Sequence, residues 1–257
     1  MMRLTQFLWM FLGFLAPVLA EAGSTNVWFK PPDPSLYSAG RYVYQRNCLV
    51  CHGQWGDGKG EMAAGMIPTP RKFTTAVFKY RSTPPGFLPS DADLIRTIQN
   101  GIPGTSMPTF MQLSEREVRA VAEYIKFFSR KWQQPENYAA ALEFPPLPDW
   151  FEVKAELKKK AEAGKGHYLK HCASCHGEQG DGNGPAAKTL VDSWDQPVKA
   201  ADLRQAALRS GGKLEDIYRV MLTGISGSPM PSFGESLTEK ERWELVAFVN
   251  ELRGENK

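Results

Sequence analysis

The chain has 257 residues, enough for one large domain or two small ones. Its composition is globular, without low-complexity tracts, and a net charge of +3 is too weak a basic bias to indicate nucleic-acid binding. The four cysteines are more informative, because they form two identical pairs, Cys48/Cys51 and Cys172/Cys175.

At the N-terminus Arg3 precedes an apolar run over residues 7–20. Val18 and Ala20 flank Leu19 as a cleavage pattern, with Ala20-Glu21-Ala22 as a second. This order predicts a signal peptide at residues 1–22 and an exported, periplasmic mature protein. Retention of the run as an anchor is the alternative, although it is shorter than the ~20 residues a bilayer span needs. No later segment is long and apolar enough to span a membrane.

The next element is a helix over residues 40–51, running into NCLVCHGQWGDGKG, whose Gly53, Gly56, Gly58 and Gly60 suit a tight loop. A short helix over 91–100 stops before Gly101, in the place of a C-terminal cap. Met107 follows in the loop GIPGTSMPTF. Ser114 then opens a last helix with Glu117 completing a capping box, and Val118, Val121, Ala122, Ile125 and Phe128 recur at helical spacing. Pro145, Pro146 and Pro148 mark an extended, semi-rigid connector.

Beyond it the same order returns. AGKGHYLKHCASCHGEQGDGNG begins at Ala163, with Gly177, Gly180, Gly182 and Gly184 in its loop. A helix over 214–223 stops before Gly224, Met230 lies in GISGSPMPSF, and Thr238 with Glu241 opens a closing helix carrying Trp243, Leu245, Val246 and Val249. Matched positions differ by 124 at the cysteines and by 123 around Asp93, a single net deletion. The period far exceeds that of a solenoid. The expectation is an all-α protein of two tandem domains, 24–134 and 152–257, joined by a Pro-rich linker at 135–151. Each has little core of its own and needs a cofactor to fold around.

Four chemistries use C-x-x-C-H. Disulfides would permit three pairings. Zinc would need a fourth ligand that neither unit offers. A redox dithiol would need a βαβ setting. Covalent haem attachment uses all three residues, because the thiols add across the porphyrin vinyls and the histidine ligates the iron. At i, i+3 and i+4 of a helical turn, Cys48, Cys51 and His52 share one face, as do Cys172, Cys175 and His176. Two copies in an exported chain favour haem, so two covalent haem c groups are expected. Met107 and Met230 occupy matching Gly/Pro-rich loops and are the expected sixth ligands, since a thioether is a soft donor. Packing against the ring edge is the alternative. Met62 and Met66 follow His52 too closely to reach the opposite face, and Met111 and Met221 read as core. His167 and His171 precede His176 on one helix and read as structural.

These residues resemble the class I cytochrome c domain, duplicated over nearly the whole mature chain. The resemblance implies that first and last helices cross, with Gly40, Tyr44 and Tyr124 at one contact and Gly164, Tyr168 and Phe248 at the other. It implies a proline carbonyl accepting from the proximal histidine, a place Pro185 fits and Glu61 takes in the first copy. It also implies a non-enzymatic carrier of single electrons between redox proteins, free or as a subunit of a membrane-bound or periplasmic oxidoreductase, with no small-molecule substrate. A dihaem peroxidase and a haem-based gas sensor are the rival functions. Basic residues crowd in PRKFTTAVFKYR, where Lys79 and Arg81, interleaved with Phe78 and Tyr80, are the expected propionate contacts. A solvated face and a steering patch for an acidic redox partner are alternative readings of the same cluster.

Overall fold

The computed structural model describes residues 28–254, so the signal peptide expected at 1–22 lies outside the described residues. Among the described residues no helix is long and apolar enough to cross a membrane.

Each copy contributes four helices. The first has α1 (Tyr37–Asn47), α2 (Leu49–His52), α3 (Asp91–Asn100) and α4 (Glu115–Lys126). The second has α5 (Lys154–His171), α6 (Ala173–His176), α7 (Leu214–Thr223) and α8 (Glu239–Leu252). The all-α expectation holds, and among the described residues β structure amounts to isolated bridges such as Val191–Pro197. The caps explain the boundaries. Ser114 and Thr238 accept from the N–H groups of Glu117 and Glu241, whose carboxylates reach back to close both boxes. A third box, Ser90 with Asp93, opens α3. One expectation needs revision: the run into the cysteine motif is two helices, because φ at Cys48 and Cys172 (−120° and −119°) departs from the regular helical value.

In each domain the first and last helices cross at a glycine. A methyl group on Gly40 would lie 2.6 Å from Tyr124 Cβ and collide with the Ala120 carbonyl oxygen. One on Gly164 would collide with the Glu244 carbonyl. Aromatic pairs flank both crossings, Tyr44 with Tyr124 (5.2 Å between ring centres) and Tyr168 with Phe248 (4.9 Å). Gly166, two residues along α5, faces open space. Gly164→Ala should therefore lose about 1–3 kcal/mol through overpacking against a backbone that cannot yield. Gly166→Ala should gain up to ~1 kcal/mol from helix propensity. Denaturant titration of the two variants separates these opposite signs.

A separate apolar core sits in each domain, around Val43, Tyr44, Leu94 and Val121 in the first and Tyr168, Tyr218, Leu245 and Val246 in the second. Met221 belongs to the second core, as expected. Met111 does not belong to the first: it is 79% exposed, on a turn between the Met107 loop and α4, because Phe110 takes the buried place there.

The one-residue net deletion between copies turns out to be two larger changes that nearly cancel. The bonds Phe73 N–H to Gly56 O and Leu203 N–H to Gly180 O align Phe73 with Leu203, a spacing of 130, against 124 for the glycines they meet. At the capping residues Asp93 and Asp216 the spacing is 123. The second copy thus gains six residues before Leu203 and loses seven after it. The gained residues form a loop carrying Trp194, whose ring lies under the Arg71 guanidinium of the first domain, 4.8 Å from its centre. The linker also packs: Leu142 N–H donates to Ser82 O (2.7 Å), while Phe144 and Leu147 lie against the second core.

Candidate functional site

Cys48, Cys51 and His52 sit on one turn, with the Cys51 and His52 N–H groups donating to the Cys48 carbonyl at 3.2 and 2.9 Å. Cys172, Cys175 and His176 repeat this at 3.2 and 2.9 Å. Both turns are held from two sides. Tyr44 Oη donates to Gly53 O (2.7 Å) and Tyr168 Oη to Gly177 O (2.6 Å), tying the first helix of each domain to the residue after its histidine. The glycine loops then fold back, so that Gly58 and Gly60 N–H groups donate to the His52 and Cys51 carbonyls, and Gly182 and Gly184 to those of His176 and Cys175. Gly53 and Gly177 reverse the chain at positive φ (79° and 77°), and a methyl group on Gly60 would collide with the Val50 carbonyl.

The imidazoles are oriented by backbone. His52 Nδ1 lies 2.9 Å from Arg71 O, and His176 Nδ1 lies 3.0 Å from Ala201 O. With Nδ1–H directed to a carbonyl, Nε2 is the free donor atom, the arrangement a metal-binding histidine requires. This corrects the acceptor implied by the resemblance: the carbonyls belong to Arg71 and Ala201, not to Glu61 and Pro185. The reason is local, since the same Phe73 and Leu203 bonds to the glycine loop press segments 71–73 and 201–203 against the histidines. Burial lowers the pKa of both imidazoles, keeping them neutral and able to donate a lone pair at pH 7. His52 also stacks on Phe73 (4.5 Å), where the second copy has the aliphatic Leu203.

The methionine loops share one hydrogen-bond pattern. In the first, Ile102 N–H donates to Met107 O (3.1 Å), Thr105 N–H and Oγ1 donate to Ile102 O, and Met107 N–H donates to Thr105 Oγ1 (3.2 Å). In the second, Ile225, Met230 and Ser228 make the corresponding four bonds. Met107 packs at the edge of the first core, and Met230 is half-buried.

The donor set fits a c-type haem. The four cysteines are free thiols rather than disulfides. Among the described residues no three His, Cys, Asp or Glu side chains converge on a metal position. His167 turns toward Glu241 and Glu244 on α8 (3.9 and 3.8 Å), a structural place, and His171 meets the Phe233 ring edge-on.

The basic cluster lies at the seam between domains. Lys79 is half-buried, and burial first, then Arg71 and Arg209, lowers its ammonium pKa. Arg81 is 2% exposed, with Nε donating to Pro84 O (3.2 Å), Nη2 to Thr223 O (2.8 Å) and Nη1 to Ser226 Oγ. Three contributors to the site and the seam were not legible in the sequence. Arg71 and Ala201 act through backbone oxygens, which residue type does not reveal, and Trp194 lies in the inserted loop that a gapless alignment of the copies hides.

A family model described as cytochrome C oxidase, cbb3-type, subunit III matches the chain twice, over residues 35–125 and 159–249. Two proteins described as Cbb3-type cytochrome c oxidase subunit CcoP, from Azospirillum sp. (strain B510) and Azospirillum brasilense, are each 26% identical over 230 residues, covering 84% of this chain. The chain spans 62% of the length of these curated relatives. A solved chain of the Kuenenia stuttgartiensis reducing HAO-like protein complex superposes with a TM-score of 0.77 at 34% identity, over 83% of this chain and 95% of that one.

Proposed function

The chain belongs to the family described as cytochrome c oxidase, cbb3-type, subunit III, and from that premise we propose an exported dihaem protein that carries single electrons between redox partners. It works as a free carrier or as the electron-transfer subunit of an oxidoreductase complex, a setting that the complexes named for its relatives support. Export rests on the leader-like run at residues 7–20.

In this reading Cys48 and Cys51 tether one haem c, whose iron is held by His52 and Met107. Cys172, Cys175, His176 and Met230 do the same for the second. The bound haem supplies a one-electron iron couple whose potential methionine ligation raises. The protein's part is positional. Arg71 and Ala201 carbonyls fix the imidazoles, the closed loops hold the thioethers, and the glycine loops keep the tethering turns rigid. A rigid ligand cage limits what must reorganise when an electron moves. Lys79 is the proposed propionate contact, since a further carboxylate beside it would add to Asp192 in offsetting its burial and the neighbouring guanidinium charges. Arg81 has two of its five N–H donors left for the same purpose.

The observation that carries this reading is the match between the two methionine loops, bond for bond, at places 123 residues apart. A peroxidase needs one iron that opens to peroxide, so its halves would differ there. Spectroelectrochemical titration of the intact protein tests the reading. Two one-electron centres should appear, each with the weak far-red methionine-to-iron band when oxidised. Ready carbon monoxide binding by either reduced centre, or turnover of hydrogen peroxide, would overturn it.

A further inference from the structure

The two methionine loops share their internal bonds but not their surroundings. Gly104 in the first loop and Gly227 in the second occupy equivalent places, 123 residues apart. A methyl group on Gly104 would meet open space, whereas one on Gly227 would lie 2.7 Å from the Trp194 ring and 3.2 Å from Val77 of the first domain. The Ser193 N–H also donates to Gly227 O at 3.2 Å. The first loop faces outward, and the second is enclosed between the inserted Trp194 loop and the first domain.

Arg81 lies at the centre of that enclosure. Its Nη2 donates to the carbonyl of Thr223, the last residue of α7, and its Nη1 to Ser226 Oγ inside the Met230 loop. The C-terminal carbonyls of a helix lack intrahelical partners and carry partial negative charge, so a buried guanidinium there satisfies both needs. Thr223 is itself buried, and Gly224 turns the chain out of α7 into the loop at φ 66°. The bonds that close the Met107 loop come from within it, and Gly104 there faces open space. The dependence therefore runs one way.

We propose that Arg81 of the first domain is a positioning residue for the second centre: it pins the start of the Met230 loop and so sets how readily Met230 leaves its iron. The inference rests on the ligand assignment proposed above, and it predicts that the two centres differ in methionine lability although their own residues match.

The test uses imidazole, which displaces methionine from oxidised haem and bleaches the far-red band at a rate set by loop opening. In a Met107→Ala background the remaining band reports Met230 alone, and in a Met230→Ala background it reports Met107 alone. Adding Arg81→Ala to the first background should speed bleaching on the order of ten-fold or more, the factor expected from losing a charge-assisted hydrogen bond. In the second background any change should be several-fold smaller, since the Arg81 bonds go to Pro84, Ser226 and Thr223 and not to the Met107 loop. Ser226→Ala, which removes one acceptor and disturbs little else, should show a smaller change at the same centre, and Arg81→Lys should recover part of the loss. The inference is overturned if Arg81→Ala and Ser226→Ala leave the Met230 rate unchanged, or speed both centres alike. If neither background loses its share of the band, the ligand assignment itself fails, and the two failures are distinguishable.

Discussion

Met230→Ala should leave both haems covalently attached, remove about half of the far-red band and lower the potential of the second centre alone. Attachment survives because Cys172, Cys175 and His176 are placed by the α5–α6 turn, Tyr168 and the glycine loop, none of which includes the methionine loop. The potential falls because a soft thioether favours ferrous iron and its loss leaves water or a harder donor. A drop on the order of 0.1–0.3 V is expected, a fraction of the ~0.8 V range that axial ligation spans. The first centre holds its value, since Met107 lies in a separate loop with its own closing bonds. Met107→Ala should produce the mirror result. Redox titration with intact-mass measurement checks both, and an unchanged potential in either variant would remove that methionine from the ligand set.

The largest stability effect is expected at Lys126, the last residue of α4, whose side chain is 0% exposed. Its ammonium meets Glu123 at 2.7 Å and Asp91 at 2.5 Å, and lies over the Trp132 ring. Glu123 is buried as well and accepts from the Asp33 N–H (3.0 Å), while Lys30 pairs with Asp91 from outside. One ammonium therefore joins the N-terminal turn, the start of α3 and the end of α4. Lys126→Ala leaves the Glu123 carboxylate buried without its cation, a mechanism that costs about 3–5 kcal/mol. The loss should fall on the first domain, whose unfolding would separate from that of the second in a denaturant titration. Lys126→Met combined with Glu123→Gln should recover much of it, because the neutral pair no longer buries an unmatched charge. Equal destabilisation of both domains would contradict the local account.

The same network gives a sign to the acid response. Burial alone would push the Asp91 carboxyl up, but the hydrogen bonds from Lys126 and Lys30 outweigh it and hold the carboxyl below its ordinary value. A depressed carboxylate contributes stability above its unfolded value, and that contribution disappears as pH falls through the lowered one. The first domain should accordingly gain acid sensitivity from Asp91, and Asp91→Asn should flatten that part of its stability profile.

Local features were legible in the sequence because their causes are local. The helices over 91–100 and 214–223 end at glycines that must turn the chain, and the capping boxes at Ser114 and Thr238 need only residues three apart. The repeat disclosed two tandem units, and C-x-x-C-H within each places three candidate donors on one turn, which depends on helical geometry alone. Gly40 and Gly164 could be assigned to helix crossings by resemblance, and the collisions their methyl groups would make show why the place demands glycine. Met111 was misplaced because helical spacing does not say that Phe110 is the residue turned inward.

What only the tertiary structure decided are relations between segments distant in sequence. The acceptors for the proximal imidazoles are backbone carbonyls at Arg71 and Ala201, delivered by a loop register that no side chain encodes. The six-residue gain and seven-residue loss between copies nearly cancel in length, so the sequence alone suggested one missing residue where the fold holds a Trp194 loop wedged at the domain seam. Arg81 read as one member of a basic run. Its place came from the end of α7, 142 residues away, where its guanidinium donates to the Thr223 carbonyl of the other domain.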